Sequence, residues 1–318
     1  MTNKNDMNNN RNHFIIFATV IVVIIIVAFV SLLATIKDTT IVDTLTKQYQ
    51  ETATNKIVSI TDKTNKQIKI FINPAHNAAT KGNIGYLGYE FYMTLRLAQE
   101  LAKILDEDNR FVYELSRDTG IYSRGVKEYL TNNYAKLLDF YNEELEKRDF
   151  SLTRYQTLEL YSIRNYAIEN KFDLFLSLHF DYEPYISKRN NTEGFHLMVS
   201  PYNGQFQASM QIANTISQKM REKYKIAKNI DFDYILPESV WKFYSKEDLV
   251  QNGIALRGTI LLGDKFEYDY YNQKFNPNDI PSVSISAGYI HDWKLGPTKA
   301  LRELAEKIYE ALVDIYFN

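Results

Sequence analysis

The hydrophobic and polar residues of this chain follow two alternating patterns over most of its length. Short runs rich in β-branched and aromatic residues, typical of buried strands, are separated by longer stretches with apolar residues at helical spacing. The strands are predicted at residues 67–72, 111–115, 173–178, 194–200 and 282–286. The helices are predicted at residues 90–105, at two places within 124–170, at 203–224, and from Pro297 onward. Strands that alternate with helices indicate an α/β domain with a mostly parallel, twisted sheet flanked by helices.

The N-terminal part of the chain departs from this pattern. Residues 14–36 carry no charge and, at about 1.5 Å per residue, can cross a hydrocarbon core of about 30 Å. They predict a single transmembrane helix that follows an N-terminal tail, residues 1–13. Residues 37–66 are polar, as a stalk or linker would be, although 56–60 could form a short edge strand. The α/β domain is therefore predicted to span residues 67–318.

Two features of the pattern leave alternatives open. The segment 224–279 mixes aromatic and charged residues without a clear period, so it either shapes a binding cleft or decorates the surface. The orientation of the predicted transmembrane helix is also undecided by charge. Lys4 and Arg11 precede it and Lys37 and Lys47 follow it, which leaves the count of flanking positive charges balanced.

Composition narrows the classes of function. With 318 residues, 45% of them hydrophobic, the chain can bury a substantial core, which excludes disorder throughout. The 37 basic and 39 acidic residues leave no excess charge to neutralise phosphates, so no nucleic-acid partner is expected. The chain has no cysteine, which excludes disulfides, thiol nucleophiles and thiolate metal sites. Any metal site must therefore use histidine, aspartate or glutamate.

Three of the five histidines, His76, His179 and His196, lie in or directly after predicted strands. His76 and His179 lie at carboxyl ends of strands, where open α/β sheets hold their ligands. Glu90 continues the inward stripe of the following helix at its first turn, where a carboxylate would normally face water. A His, a Glu and a second His form the ligand set of a catalytic zinc. The same residues could instead be two hydrogen-bonded structural histidines and a glutamate that complements the helix dipole.

Six segments give the chain a family resemblance. They are, in chain order, INPAHN, GYLGYEFYMTLRLAQEL, YELSRD, LELYSIRNYAIENKFDLFLSLHFD, GFHLMVS and PSVSISAGYI. In order and spacing they resemble the motifs of the zinc-dependent N-acetylmuramoyl-L-alanine amidases, which cleave the bond between MurNAc and the peptide stem of peptidoglycan. The resemblance runs from about Ile68 to the C-terminus. It implies Zn²⁺ bound by His76, Glu90 and His179, with peptidoglycan as the substrate.

One position departs from the family. Its last strand carries a glutamate that serves as general base and acid for the attacking water, and in this chain the corresponding residue is Ser286. A serine hydroxyl cannot accept a proton near neutral pH, and the loss of such a base typically costs about 10²- to 10⁴-fold in rate. The replacement bases that the sequence offers are Asp181, Glu193, His196, His291 and Asp292. His291 is preferred among them because an imidazole titrates close to working pH.

Two arginines fall within the segments that resemble the family, Arg117 in an Arg-Asp turn and Arg164 in a helix. A guanidinium can hold a substrate carboxylate through two parallel hydrogen bonds. Internal ion pairs, with Asp118 or with other acids, are the preferred interpretation of both arginines.

Three functions are compatible with the sequence. The preferred one is a membrane-anchored zinc amidase, with its N-terminus in the cytoplasm and its domain outside, facing the cell wall. The second is a catalytically impaired relative that binds peptidoglycan or regulates wall hydrolysis, which Ser286 favours. The third, a carboxypeptidase-like zinc hydrolase, is disfavoured because Glu90 lies fourteen positions after His76, in place of the usual His-x-x-Glu spacing. The sequence leaves open a regulatory protein partner of unknown identity.

Overall fold

A computed structural model of the chain describes residues 67–145, 152–182, 193–228, 230, 232, 238–241, 243–263, 276 and 278–318. The predicted N-terminal tail, transmembrane helix and linker, residues 1–13, 14–36 and 37–66, lie outside the described residues, as does the short strand considered at 56–60. Among the residues that the structure does describe, no helix combines the length and the apolar character needed to cross a bilayer.

The described residues form eight strands and seven α-helices. The strands are β1 Ile68–Pro74, β2 Ile84–Gly85, β3 Gly88–Tyr89, β4 Phe111–Leu115, β5 Leu174–Asp181, β6 His196–Val199, β7 Ile254–Leu256 and β8 Ser282–Tyr289. The helices are α1 Glu90–Asp106, α2 Arg124–Phe140, α3 Arg154–Glu169, α4 Phe206–Arg221, α5 Glu238–Trp241, α6 Lys246–Gln251 and α7 Thr298–Phe317. A turn of π-helix, Tyr141–Leu145, extends α2, and a short 3₁₀ helix, Trp293–Leu295, precedes α7.

Six of these strands form one sheet in the order β4-β1-β5-β8-β6-β7. The four strands from β4 to β8 are parallel to one another. At the other edge, β6 runs antiparallel to β8 and parallel to β7. The prediction of a mostly parallel sheet is confirmed.

Helices cover both faces of the sheet, which explains why its central strands are apolar almost throughout. On one face, α2 and α3 pack against the sheet through a cluster that includes Phe71, Val126, Ile163 and Phe175. On the other face, α1 and α4 pack against the strands, and α7 packs against both of these helices. Every residue of β8 is buried as a result.

The structure moves several predicted boundaries. Strand β5 continues to Asp181, so His179 lies inside the strand rather than after it. Helix α7 begins at Thr298, and Pro297 is its N-cap residue rather than its first helical residue. The segment 224–279 contains α5, α6 and the edge strand β7, none of which the sequence predicted. Elements this short carry too few residues for a period to be recognised.

Local sequence explains where the helices on the metal-site face begin. The Ser123 hydroxyl accepts a hydrogen bond from the backbone N–H of Val126 and caps α2. Thr153 and Gln156 form a capping box at the start of α3, in which each side chain accepts from the backbone N–H of the other residue. These caps fix the two helices beside the carboxyl edge of the sheet, where the candidate site lies.

Candidate metal centre

Three side chains meet at the carboxyl edge of the sheet. His76 follows β1, Glu90 is the first residue of α1, and His179 lies near the end of β5. Nε2 of His76 lies 3.1 Å from Oε2 of Glu90, and Nδ1 of His179 lies 3.5 Å from Oε1 of the same carboxylate. One potential ligand atom from each residue lies within 4.8 Å of the other two. The structure therefore brings together the three residues that the sequence proposed as metal ligands.

Glu90 is buried even though it opens a helix, with 3% of its surface exposed. Burial alone would raise its pKa, but hydrogen bonds and charge from His179 and His76 outweigh burial and hold the pKa of Glu90 well below its usual range. The backbone N–H of Phe180 also donates to Oε1, at 3.3 Å. A buried carboxylate is costly without a compensating positive charge. Two imidazole nitrogens and one carboxylate oxygen around a common point fit Zn²⁺ with an open coordination position.

The backbone near the site is shaped to bring the ligands together. His76 has a positive φ of 62°, which is uncommon for a residue with a side chain. Gly82, with a φ of +67°, packs directly on two of the ligands. A Cβ atom there would lie 2.7 Å from Cδ2 of His76 and 2.8 Å from Oε2 of Glu90. Position 82 therefore requires glycine both for its backbone conformation and for the closeness of the ligands.

A chain of buried hydrogen bonds supports His179 from behind. Ser116 Oγ donates to Asn73 Oδ1 at 2.7 Å, and Asn73 Nδ2 donates to Ser177 Oγ at 3.1 Å. Ser177 Oγ lies 3.1 Å from Nε2 of His179. Since Nδ1 of His179 faces Glu90, a ring that uses Nδ1 as a metal ligand carries its proton on Nε2 and donates it to Ser177. Sequence reasoning missed these three residues, although polar residues in apolar strands were a signal that could have found them.

Arg117 has a different role from either of those considered in the sequence analysis. It is fully buried, so a substrate cannot reach it. Asp118 is not among the partners that accept its hydrogen bonds. Its guanidinium donates to the backbone carbonyls and the hydroxyl of five residues, at 2.8–3.1 Å: Pro74, Ala75, Phe91, Thr94 and Thr119. Burial lowers the pKa of Arg117 to about 10. Arg117 thus ties the loop that carries His76 to the helix that carries Glu90.

Arg164 forms the internal ion pair that the sequence analysis preferred. Its Nη2 donates to Oδ1 of Asp279 at 2.6 Å, and 3% and 1% of the two side chains are exposed. Oδ2 of Asp279 accepts from the backbone N–H of Gly204. The pair joins α3 to the start of β8 and lies out of reach of a large substrate.

Ser286 occupies the middle of a row of polar residues across three strands. It is in register with His179 on β5 and with His196 on β6, so the three side chains project from the same face. The Ser286 hydroxyl is buried and finds no hydrogen-bond partner among the described residues. Nδ1 of His196 lies 3.0 Å from Oδ2 of Asp181. Two of the proposed replacement bases, His196 and Asp181, therefore form a pair beside Ser286.

The preferred replacement base, His291, lies in an aromatic environment. Its ring packs between Tyr86 and Tyr182, with centroid distances of 5.6 Å and 5.1 Å. Both of its ring nitrogens are buried, and neither has a hydrogen-bond partner within the described part of the chain. Among the described residues no carboxylate lies within ion-pair distance of this ring, whereas Asp181 lies at that distance from His196.

The two remaining candidate bases have structural partners. Glu193 forms ion pairs with Lys225 and Lys294. Asp292 accepts a hydrogen bond from the backbone N–H of Lys294 at 3.1 Å and caps the 3₁₀ helix. Both carboxylates are therefore engaged at the surface.

Comparison with known proteins adds to this geometry. A model of the N-acetylmuramoyl-L-alanine amidase family matches residues 70–314. Among solved structures, the chain is similar to the catalytic domain of CwlV, an N-acetylmuramoyl-L-alanine amidase from Paenibacillus polymyxa, with 13% identity, a TM-score of 0.47, and coverage of 78% of this chain and 97% of that chain. It is also similar to the CwlD amidase from Clostridioides difficile in complex with the GerS lipoprotein, with 16% identity, a TM-score of 0.48, and coverage of 78% and 98%. A third is the amidase Ami1 from Mycobacterium smegmatis, with 15% identity, a TM-score of 0.48, and coverage of 80% and 99%. A comparison with curated protein sequences gives no match.

Proposed function

The chain belongs to the family of N-acetylmuramoyl-L-alanine amidases, and from this premise we propose that it is a zinc-dependent hydrolase of the amide bond between MurNAc and L-alanine in peptidoglycan. The observation that carries the proposal is the convergence of His76, Glu90 and His179, whose potential ligand atoms lie within 4.8 Å of one another. When bound, zinc supplies a Lewis acid that polarises the amide carbonyl and activates water.

The residues around the three ligands support this chemistry by holding them in place. With Nδ1 of His179 bound to a metal, the ring proton would lie on Nε2, and Ser177 Oγ, 3.1 Å away, would accept it. Glu90 stays ionised between the two imidazoles, because their hydrogen bonds and charge outweigh the effect of its burial on its pKa. The ligands are thus set before substrate arrives, which avoids reorganisation during the reaction.

Proton transfer needs a group other than Ser286, and we assign it to His196. His196 is in register with Ser286 and projects from the same face as His179. Its Nδ1 lies 3.0 Å from Oδ2 of Asp181, at ion-pair distance but without hydrogen-bond geometry, so an imidazolium formed when Nε2 takes a proton from the attacking water has a carboxylate beside it. A carboxylate behind an imidazole stabilises the imidazolium that forms, as in other hydrolases with a His-Asp pair.

The second candidate function is that of a catalytically impaired relative of the amidases, and the buried Ser286 hydroxyl favours it. This hydroxyl has no hydrogen-bond partner among the described residues, as expected where a glutamate has been replaced without a compensating change nearby. Such a protein would bind peptidoglycan without cleaving it.

We further propose that residues 14–36 anchor the protein in the cell membrane. The uncharged length of this segment supports a single span. Since the substrate lies outside the membrane, the N-terminus would be cytoplasmic and the domain would face the wall. A regulatory protein partner stays a prediction.

The test is release of peptide from purified peptidoglycan by the full-length protein, measured as newly exposed N-terminal alanine. The wild type is expected to release it with zinc present, and to lose activity when zinc is chelated or in the His179→Ala variant. His196→Gln should retain zinc and lose about 10²- to 10⁴-fold in rate. Unchanged activity in His196→Gln would show that another group is the base.

A matched pair of variants separates the two candidate functions. If the wild type binds peptidoglycan but releases nothing, and Ser286→Glu gains activity, the impaired relative is correct. Ser284→Glu is the control, because Ser284 lies two residues earlier on the same strand face and is equally buried, with an unpartnered hydroxyl among the described residues. If Ser284→Glu gained activity as well, the gain would be a general effect of the added charge.

A further inference from the structure

A cavity of about 300 Å³ lies next to the candidate metal centre, between two loops and the helices α2 and α3. We call it the α2–α3 pocket. The lining residues that matter here are Asn77, Tyr122, Val126, Leu130, Tyr155 and Glu159. Its volume is at the lower end of the range of about 300–1,000 Å³ for small-molecule sites, so it suits one side chain rather than a disaccharide.

The pocket is joined to the metal centre through the loop that follows β1. Asn77, which lines the pocket, is the residue directly after the ligand His76. The loop is rigid there, because Asn77 Oδ1 accepts from the backbone N–H groups of Ala79 and Thr80, at 2.9 Å and 2.8 Å. The backbone N–H of Ala78 donates to the carbonyl of Gly120, which also lines the pocket, at 2.8 Å. A substrate at the metal centre therefore has this pocket as its immediate neighbour.

The pocket also lies on the correct face of the sheet. His179 and Phe175 are four residues apart on β5, so their side chains project from the same face. Phe175 packs against α2 and α3 in one hydrophobic cluster with Val126 and Ile163. The face toward which His179 points is thus the face that carries the pocket.

Glu159 is the feature of the pocket that fold stability does not explain. Its side chain is partly buried, and within the described residues it forms no hydrogen bond or ion pair. Burial raises the pKa of Glu159 to about 7. Lys127 also lines the pocket but is exposed and does not come within ion-pair distance of Glu159. A carboxylate held in such surroundings gains most from a cation that enters with a ligand.

The remaining walls favour a cation on an aliphatic stem. Val126 and Leu130 lie one helical turn apart on α2 and offer apolar contact to methylene groups. Tyr122 and Tyr155 add aromatic surface, with which an ammonium group also interacts favourably. Long cationic side chains bury their stems in this way while the charged end is paired.

We propose that the α2–α3 pocket binds a primary ammonium group at the end of an aliphatic side chain, with the ammonium at Glu159 and the methylenes between Val126 and Leu130. This inference rests on the proposed function, because a peptide stem with a basic third residue would carry such a group on the same substrate, two residues beyond the alanine of the scissile amide. The pocket would then select among stem peptides by their side-chain amine.

The test is isothermal titration of the full-length, zinc-loaded protein with the tripeptide L-Ala-D-isoglutamyl-L-Lys and with the same peptide acetylated on the lysine amine. The wild type is expected to bind the free amine at least about 10-fold more tightly, the size of one charge-assisted hydrogen bond. Glu159→Gln should bind both peptides with the weaker affinity and keep its zinc. Glu128→Gln, an exposed glutamate on α2 that pairs with Arg124, is the control and should behave as the wild type.

Equal affinity for the two peptides in the wild type, or an unchanged preference in Glu159→Gln, would overturn the inference, as would the absence of binding by both peptides. Failure of the proposed function is distinguishable, because the titration does not depend on hydrolysis. A protein that prefers the free amine through Glu159 but never releases N-terminal alanine has the pocket without the activity.

The preference should also depend on pH. Affinity for the free amine should rise from ~pH 6 to ~pH 8 as Glu159 ionises. The other titratable groups that line the pocket are Tyr122 from the loop, Tyr155 from α3 and Lys127 from α2. Burial raises the pKa of Tyr122 to about 12 and also raises the pKa of Tyr155, so neither tyrosine loses its proton in this interval. A preference that is constant over the interval would contradict the role of Glu159.

Discussion

Replacement of Arg117 by methionine should both destabilise the fold and weaken metal binding. Arg117 is buried and donates hydrogen bonds to the backbone carbonyls of Pro74 and Ala75, before His76, and of Phe91, after Glu90. Methionine has a similar length and no donor. The variant therefore removes the hydrogen bonds that hold the two ligand-bearing segments together, and leaves the apolar packing largely in place.

The magnitude follows from the carbonyls that lose their donor. Thr119 is exposed, so water can replace the bond to its carbonyl. The Thr94 hydroxyl can donate to the carbonyl of Ala75, at 2.9 Å, or to that of Phe91, at 3.2 Å, but its one proton cannot serve both. The carbonyl of Pro74 and one of these two therefore lose their donor, and each unsatisfied group costs about 1–3 kcal/mol. We expect a loss of about 3 kcal/mol in the free energy of unfolding, or about 6–12 °C in Tm at about 2–4 °C per kcal/mol.

The assay is urea unfolding of the two proteins, combined with zinc affinity measured by competition with a chelator. The affinity of Arg117→Met should fall by about 10- to 100-fold, as is typical when support behind metal ligands is lost. Arg124→Met is the control, because 90% of that side chain is exposed and its ion pair is with exposed Glu128. It should cost less than about 0.5 kcal/mol. If the two variants unfold at the same urea concentration, or if zinc affinity is unchanged in Arg117→Met, the reasoning about Arg117 is wrong.

Three further predictions concern other parts of the domain. Gly82→Ala should lower zinc affinity at least about 10-fold. Gly88→Ala should not, because Gly88 also has a positive φ, +92°, but no atom lies within 4 Å of the new Cβ; equal losses in a chelator competition would contradict the packing argument. Glu159→Gln should melt at a higher temperature than the wild type at ~pH 8 and at nearly the same temperature at ~pH 5. The reason is that burial raises the pKa of Glu159 to about 7, so stability is lost as pH rises through that value; a difference of the opposite sign in thermal scans would refute this. Asp279→Ala should cost about 3–5 kcal/mol in urea unfolding, because it removes the carboxylate from buried Arg164, and the double variant with Arg164→Met should recover part of the loss.

The sheet and its main helices could be predicted because their periods extend over many residues. Strand β4 has the bounds that the sequence predicted, 111–115, and α1 ends one residue later than predicted. The strands β2, β3 and β7 have two or three residues each, and a pattern cannot be recognised in so few positions. Their formation depends on neighbouring strands and loops that the sequence does not place.

The metal ligands could be proposed because His76, Glu90 and His179 lie at the ends or starts of predictable elements. The residues that support them could not, because their contacts depend on the register of strands far apart in the chain. Asn73 and Ser177 are 104 residues apart, and Asn73 and Ser116 are 43 residues apart. The prediction of an acidic partner for Arg117 was wrong for a similar reason. The acceptors of Arg117 are mostly backbone carbonyls, which every residue carries.

The most direct test of the central claim is a crystal of the zinc-loaded protein, with diffraction measured on both sides of the zinc absorption edge. We expect one anomalous peak within about 2.0–2.2 Å of Nε2 of His76, a carboxylate oxygen of Glu90 and Nδ1 of His179. The peak should vanish in crystals of His179→Ala. A peak elsewhere, or a wild-type crystal that takes up no zinc between these three residues, would contradict the account.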